Sequence, residues 1–158
     1  MQFFQVLLVF FTLSYYGGEP GPSRGWDWWR TVKTDELLVM SAKDVLDEMK
    51  HTNLFTVCTP SGSEITQVDW PKKEDIPYLL SVVESKEPAG IFFSCHRSVW
   101  PAEEDTISAV GDAALVLLNA RMNGGYSVVQ YSYVIPENKD EIIAWARAEM
   151  KEMREAGE

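Results

Sequence analysis

One stretch of the sequence places a nucleophile beside a histidine: the tetrapeptide SCHR at residues 94–97. A thiol becomes an effective nucleophile when a base such as imidazole takes its proton. Neighbouring residues on an extended segment point to opposite faces, however, so this histidine is badly placed to activate Cys95. The other histidine, His51, follows a predicted helix end, where it suits the negative end of the helix dipole. We therefore predict no catalytic residue, and a small hydrolase that uses Cys95 stays an alternative.

The chain has two cysteines, Cys58 and Cys95. In an oxidising compartment they are candidates for one disulfide, which closes a loop of about 38 residues and adds roughly 3–4 kcal/mol of stability in the loop-entropy description. In the cytosol the same residues would be buried thiols. The spacing alone does not establish that their Cα atoms approach closely enough to bond.

Metal and cofactor motifs are missing from the sequence. It contains no CxxC, no HxxxH, no EF-hand loop and no glycine-rich phosphate loop. The acidic trio Glu103, Glu104 and Asp105 directly precedes a predicted helix, where carboxylates favour the positive end of the helix dipole. We accordingly expect no metal site and no cofactor.

The first 18 residues differ from the rest of the chain because an apolar run, FFQVLLVFF, precedes a cluster of glycine and proline. This run is too short to span a bilayer comfortably and resembles the apolar region of a secretory signal. We predict a signal peptide or membrane anchor at 1–18, a linker with an aromatic cluster at 19–30, and one globular domain at 31–158. The expected location is secreted, periplasmic or membrane-anchored, with a cytoplasmic location as the alternative.

Apolar periodicity predicts four helices. The first begins at Ser41, a good N-cap with an acidic residue three positions on. The last begins at Asn138 and ends at Gly157; the two between them are predicted over 73–85 and 105–122. Short extended segments are predicted at 54–58, 91–100 and 128–135. The fold class predicted from this pattern is mainly α, and α+β is the alternative.

Two of these segments resemble a known repeat family. Residues 75–83 (DIPYLLSVV) followed by residues 110–118 (VGDAALVLL) look like the two halves of a HEAT-type helical repeat. Such repeats have a first helix rich in proline and leucine and a second that contains glycine and alanine. The resemblance implies a HEAT-like helical pair at the centre of the fold and a protein-binding scaffold, and it carries over no catalytic residue.

The net charge excludes some classes of binding partner. The chain carries 24 acidic and 14 basic residues, a formal charge of −10. This balance argues against nucleic acid, whose binding needs lysine and arginine, and limits membrane contact to the N-terminal segment. The leading interpretation is a non-catalytic, exported or membrane-tethered domain that binds a protein partner or plays a structural role. An acidic inhibitor or immunity-type protein that covers a basic surface is a further alternative.

Overall fold

A small parallel sheet and five helices organise the part of the chain that the structure, a computed structural model, describes: residues 27–58, 67–94, 107–127 and 135–157. The sheet has three strands: β1 (Asp27–Lys33), β2 (Thr52–Cys58) and β5 (Ile91–Ser94). Their order is β1-β2-β5, and both neighbouring pairs are parallel. Parallel neighbours need a crossover connection, and helices supply it here.

Four shorter strands form two antiparallel pairs. They are β3 (Gln67–Val68) with β7 (Tyr126–Ser127), and β4 (Pro88–Ala89) with β6 (Ser108–Ala109). Each pair is only two residues long. These pairs hold the ends of the central helix rather than extend the sheet.

The five helices lie between and after the strands along the chain. They are α1 (Thr34–Val39), α2 (Ala42–Met49), α3 (Ile76–Val82, after a 3₁₀ turn at Lys73–Asp75), α4 (Val110–Met122) and α5 (Lys139–Ala156). The capping box expected at the first predicted helix is confirmed in α2, where Ser41 Oγ accepts from the N–H of Asp44. The predicted limits of the last helix are also confirmed, since α5 lies between Asn138 and Gly157.

Helix α4 is the centre of the core. Seven of its thirteen residues are buried, and it packs against α2, α3 and α5. It starts at Val110, later than the sequence pattern predicts. The two preceding residues pair with β4, and the first amides of the helix donate to the carbonyl oxygens of Glu87 (2.8 Å) and Ser85 (3.1 Å). The chain between α3 and α4 thus caps the helix it leads into.

The sheet has a helix face and an outer face, because successive side chains of a strand point to opposite sides. Val32, Phe55 and Phe92 lie on the helix face and belong to the main core with the helices. Leu54 and Ile91 lie on the outer face and form a separate buried cluster. Strand β2 is therefore buried on both faces along almost its whole length.

The prediction of a mainly α fold built on a HEAT-like helical pair is wrong, and the described part of the chain is α+β. The helices α3 and α4 do pack together, but β4, β5 and β6 lie between them in the chain. The extended segments predicted at 54–58 and 91–100 do contain β2 and β5, but a parallel sheet forms between strands that are far apart in the sequence, so local patterns did not reveal the sheet. The strand at Asp27–Lys33 begins inside the segment interpreted as a linker and aromatic cluster.

Among the described residues, no helix is both long enough and apolar enough to cross a membrane.

Candidate functional site

The carboxyl ends of the three parallel strands meet at one edge of the sheet, where ligand sites of open α/β sheets usually form. β1 ends at Lys33, β2 at Cys58 and β5 at Ser94. Lys33 and Cys58 are register partners. The next residue, Thr34, donates its hydroxyl to the carbonyl oxygen of Cys58 over 3.2 Å. This edge brings together an exposed lysine, a half-buried thiol and a buried hydroxyl.

Of the described residues, His51 is the histidine to consider as a base for this thiol, and it lies too far away. His51, the one histidine in the described ranges, is exposed and precedes the amino end of β2. Cys58 lies at the carboxyl end of the same strand, about 20 Å away at the usual rise per residue. A base must reach within hydrogen-bond distance of the proton it abstracts, so His51 does not serve Cys58.

Several residues singled out from the sequence fall outside the described part of the chain. They are Cys95, His96 and the acidic trio Glu103, Glu104 and Asp105. The pairing of Cys58 with Cys95 therefore stays a prediction. Within the described ranges, no group of three or more histidine, cysteine, aspartate or glutamate side chains is placed to hold a metal ion.

Arg30, in the middle of β1, connects the strand to the helices. Its guanidinium donates from Nη2 to Glu36 of α1 and from Nε to Glu48 of α2, the latter over 2.9 Å. Burial alone lowers the pKa of Arg30, but the hydrogen bonds to the two carboxylates outweigh it, so its pKa is raised. The charge of Arg30 is thereby balanced on the helix face, and the strand is held in place by two separate helices.

The outer face of β1 is exposed, whereas the outer face of the neighbouring strand β2 is buried. Trp29, Leu54 and Ile91 form one row of register partners across the sheet. Leu54 and Ile91 are buried, whereas Trp29 is 56% exposed. Thr31 and Lys33 follow on the same face of β1 and are also exposed. β1 is the outermost strand at one end of the described sheet. We therefore use the term β1 edge for this strand together with the side chains that it presents on the outer face, which are Trp29, Thr31 and Lys33.

An exposed tryptophan on such a strand is chemically suited to binding. Tryptophan adds a large rigid apolar surface and is enriched among the residues that dominate binding energy. The aromatic cluster in the sequence indicated that this segment is unusual, but the exposure of Trp29 depends on the sheet order and could not be inferred from the cluster alone.

Comparisons of this chain with protein-family models, curated proteins and solved structures give no significant match. The resemblance of its central segment to HEAT-type repeats therefore stays a prediction, and any function has to be argued from the described residues.

Proposed function

We propose that this chain is a non-catalytic, exported or membrane-tethered domain that binds a protein partner at the β1 edge. The observation that carries the proposal is the 56% exposure of Trp29, which lies on the outermost strand of the described sheet beside register neighbours that are buried. Tryptophan is enriched among the residues that dominate binding energy, and the polar residues around it add specificity. Trp29 is the apolar anchor, and Thr31 and Lys33 are its polar neighbours.

The rigidity of β1 supports this role. An edge strand that is already ordered does not have to give up conformational freedom when a partner binds, which preserves affinity. Here Arg30 ties the strand to α1 and α2, and β2 pairs with it along its length. At the carboxyl edge, His51 does not serve as a base for Cys58, because the two residues lie at opposite ends of β2.

The test is site-specific photo-crosslinking in the native source. A photoreactive residue at Thr31 should capture a protein, and one at Glu152, exposed on α5, should not. Trp29→Ala should reduce capture from position 31 by about tenfold or more, the effect expected of an interface anchor. The matched control is Val39→Ala, since Val39 is apolar and 80% exposed but lies outside the β1 edge.

Two outcomes would contradict the proposal. If Val39→Ala reduced capture as much as Trp29→Ala, apolar exposure in general rather than the β1 edge would explain binding. A substrate turnover that disappears in Cys95→Ser would instead support the hydrolase alternative. The tether is tested separately by N-terminal sequencing and fractionation of the native protein: a soluble cytosolic chain that still begins at Met1 would contradict export or anchoring.

A further inference from the structure

The turn after α4 joins an asparagine to a glycine at the surface of the molecule. Asn123 caps the end of α4, Gly124 follows with φ at +89°, and both residues are exposed. Asparagine is one of the thermolabile residues of proteins. Glycine has no Cβ, so its backbone nitrogen is the least hindered one that can follow an asparagine side chain. We propose that Asn123 is a deamidation site, at which the chain modifies itself without an enzyme.

The reaction needs only the turn and water. The backbone nitrogen of Gly124 attacks Cγ of Asn123, and the new N–Cγ bond closes an imide ring. The side-chain amide leaves as ammonia and takes up the proton that the backbone nitrogen loses. Water then opens the ring. Hydrolysis of the bond to Cγ gives aspartate, whereas hydrolysis of the bond to the main-chain carbonyl carbon gives isoaspartate, in which the main chain runs through Cβ and Cγ.

Hydrogen bonds of the last helical turn restrain both reacting groups in the folded chain. The N–H of Gly124 donates to the carbonyl oxygen of Arg121 over 3.1 Å, and Nδ2 of Asn123 donates to the carbonyl oxygen of Asn119 over 2.8 Å. Helix ends open locally much more readily than a buried core does. The attack therefore proceeds from the frayed turn, and the folded chain should deamidate more slowly than the unfolded chain.

The aspartyl product is unfavourable at this end of the helix. A carboxylate at position 123 would lie at the negative end of the α4 dipole. It would also replace a donor by an acceptor, because Nδ2 of Asn123 donates to both the carbonyl oxygen and Oδ1 of Asn119, the latter over 3.0 Å. Deamidation therefore weakens the C-terminal cap of the central helix.

The isoaspartyl product changes the backbone as well. The N–H of Gly125 donates to the carbonyl oxygen of Ala120 over 2.8 Å, and together with the bond from Gly124 this is a Schellman C-cap. An extra main-chain carbon in the preceding residue moves both glycines out of this pattern. The surroundings are tight, because a Cβ at Gly125 would lie 2.1 Å from the carbonyl oxygen of Val68 in β3. The modification thus loosens the junction between α4 and the β3–β7 pair.

Mass spectrometry of the aged full chain tests the reaction. The chain is kept folded at neutral pH for several weeks, and trypsin then releases residues 122–139, a peptide that carries both Asn123 and Asn138. Asn138 is the internal control, because it is also exposed but precedes lysine rather than glycine. Asn123 should convert to aspartate and isoaspartate several-fold faster than Asn138, and faster still in urea. Digestion in heavy-oxygen water marks any conversion that occurs during the digestion itself.

Two matched variants test the effect on the fold. Asn123→Asp makes the aspartyl product at the end of α4, whereas Asn138→Asp makes the same change at the start of α5, where aspartate is a good N-cap and suits the helix dipole. The urea midpoint should fall in the first variant and not in the second. Conversion of Asn123 no faster than that of Asn138 would overturn the site, and a rate that does not rise in urea would contradict the restraint by hydrogen bonds. Equal midpoints of the two variants would overturn the effect on the α4 cap.

Discussion

Asp75 is a buried carboxylate that holds two separate turns of backbone. Its Oδ1 accepts from the N–H of Ala42 over 3.0 Å, at the start of α2, and its Oδ2 accepts from the N–H of Lys72 over 2.9 Å. Asp75→Ala should lower the free energy of unfolding by about 2–3 kcal/mol, because each donor would be left without its acceptor. Urea unfolding measures this change.

The matched control for Asp75 is Asp44→Ala. Asp44 also caps α2, through Ser41, but it is exposed, so water can replace its hydrogen bonds. Its loss should cost about 1 kcal/mol or less. Equal losses in the two variants would mean that the burial of Asp75 adds nothing to its role.

Gly111 marks a close approach between α4 and the end of α3. A Cβ atom at this position would lie 2.6 Å from the carbonyl oxygen of Val83 and 2.7 Å from that of Ser85. Gly111→Ala should therefore destabilise the protein by about 1–3 kcal/mol, although alanine is the better helix former. Gly157→Ala is the control, because a Cβ there meets nothing closer than 3.5 Å. Thermal and urea unfolding should separate the two variants, and a stabilised Gly111→Ala protein would refute the close approach.

At the scale of a single element, α2 carries a small pH-sensitive network. Hydrogen bonds from Lys43 and then Lys50 lower the pKa of Asp47 from its usual 3.8, against a smaller opposing effect of burial. A lowered carboxyl pKa stabilises the fold at neutral pH, and this contribution is lost as the pH falls below about 4 through the folded-state pKa.

In Asp47→Asn, the fall in the free energy of unfolding at acid pH should therefore be smaller than in the unmodified protein. The difference should be less than about 1 kcal/mol, because the network is largely exposed. The measurement is urea unfolding between about pH 2 and pH 7, the range over which carboxyl groups titrate. Glu152→Gln is the control, since Glu152 is exposed and belongs to none of the ion pairs found among the described residues. A profile of Asp47→Asn that parallels the unmodified protein would contradict the assignment.

The pairing of β2 with β5 bears on the two cysteines. Val57 and Ser94 are register partners, and Cys58 and Cys95 are the residues that follow them in the sequence. If the chain is exported, we expect a disulfide between these cysteines. Thiol counting under denaturing, non-reducing conditions should then find no reactive thiol, and two after reduction. Two reactive thiols in exported material before reduction would refute the pairing.

At the scale of the whole molecule, the net charge of −10 sets the direction of the salt dependence. If the partner presents a basic surface, as in the acidic-inhibitor alternative, association should slow when salt rises from about 10 to 150 mM, because the Debye length falls from roughly 30 to 8 Å. Association rates at the two salt concentrations measure the change. A rate that does not change with salt would contradict the acidic-inhibitor alternative.

The sequence by itself determined the features that local chemistry controls. The start of α2 follows from a capping box of residues three apart, and the end of α5 follows from a glycine directly after the last turn. The apolar faces of α3 and α4 were also evident, since helical periodicity is visible within about a dozen residues.

Only the tertiary structure decided the sheet, and with it the candidate site. β1, β2 and β5 are neighbours in space but are separated in the sequence by intervening helices, so no local pattern reveals their pairing. The segments that form β2 and β5 were predicted as extended, but β1 was not, and without the pairing of the three strands a mainly α fold was the natural and wrong prediction. Sheet order then leaves Trp29 exposed while Leu54 and Ile91 are buried, and sets Lys33 beside Cys58. Which face of a strand meets solvent depends on what packs against it, and that information lies in the assembled layers rather than in the seven residues of β1.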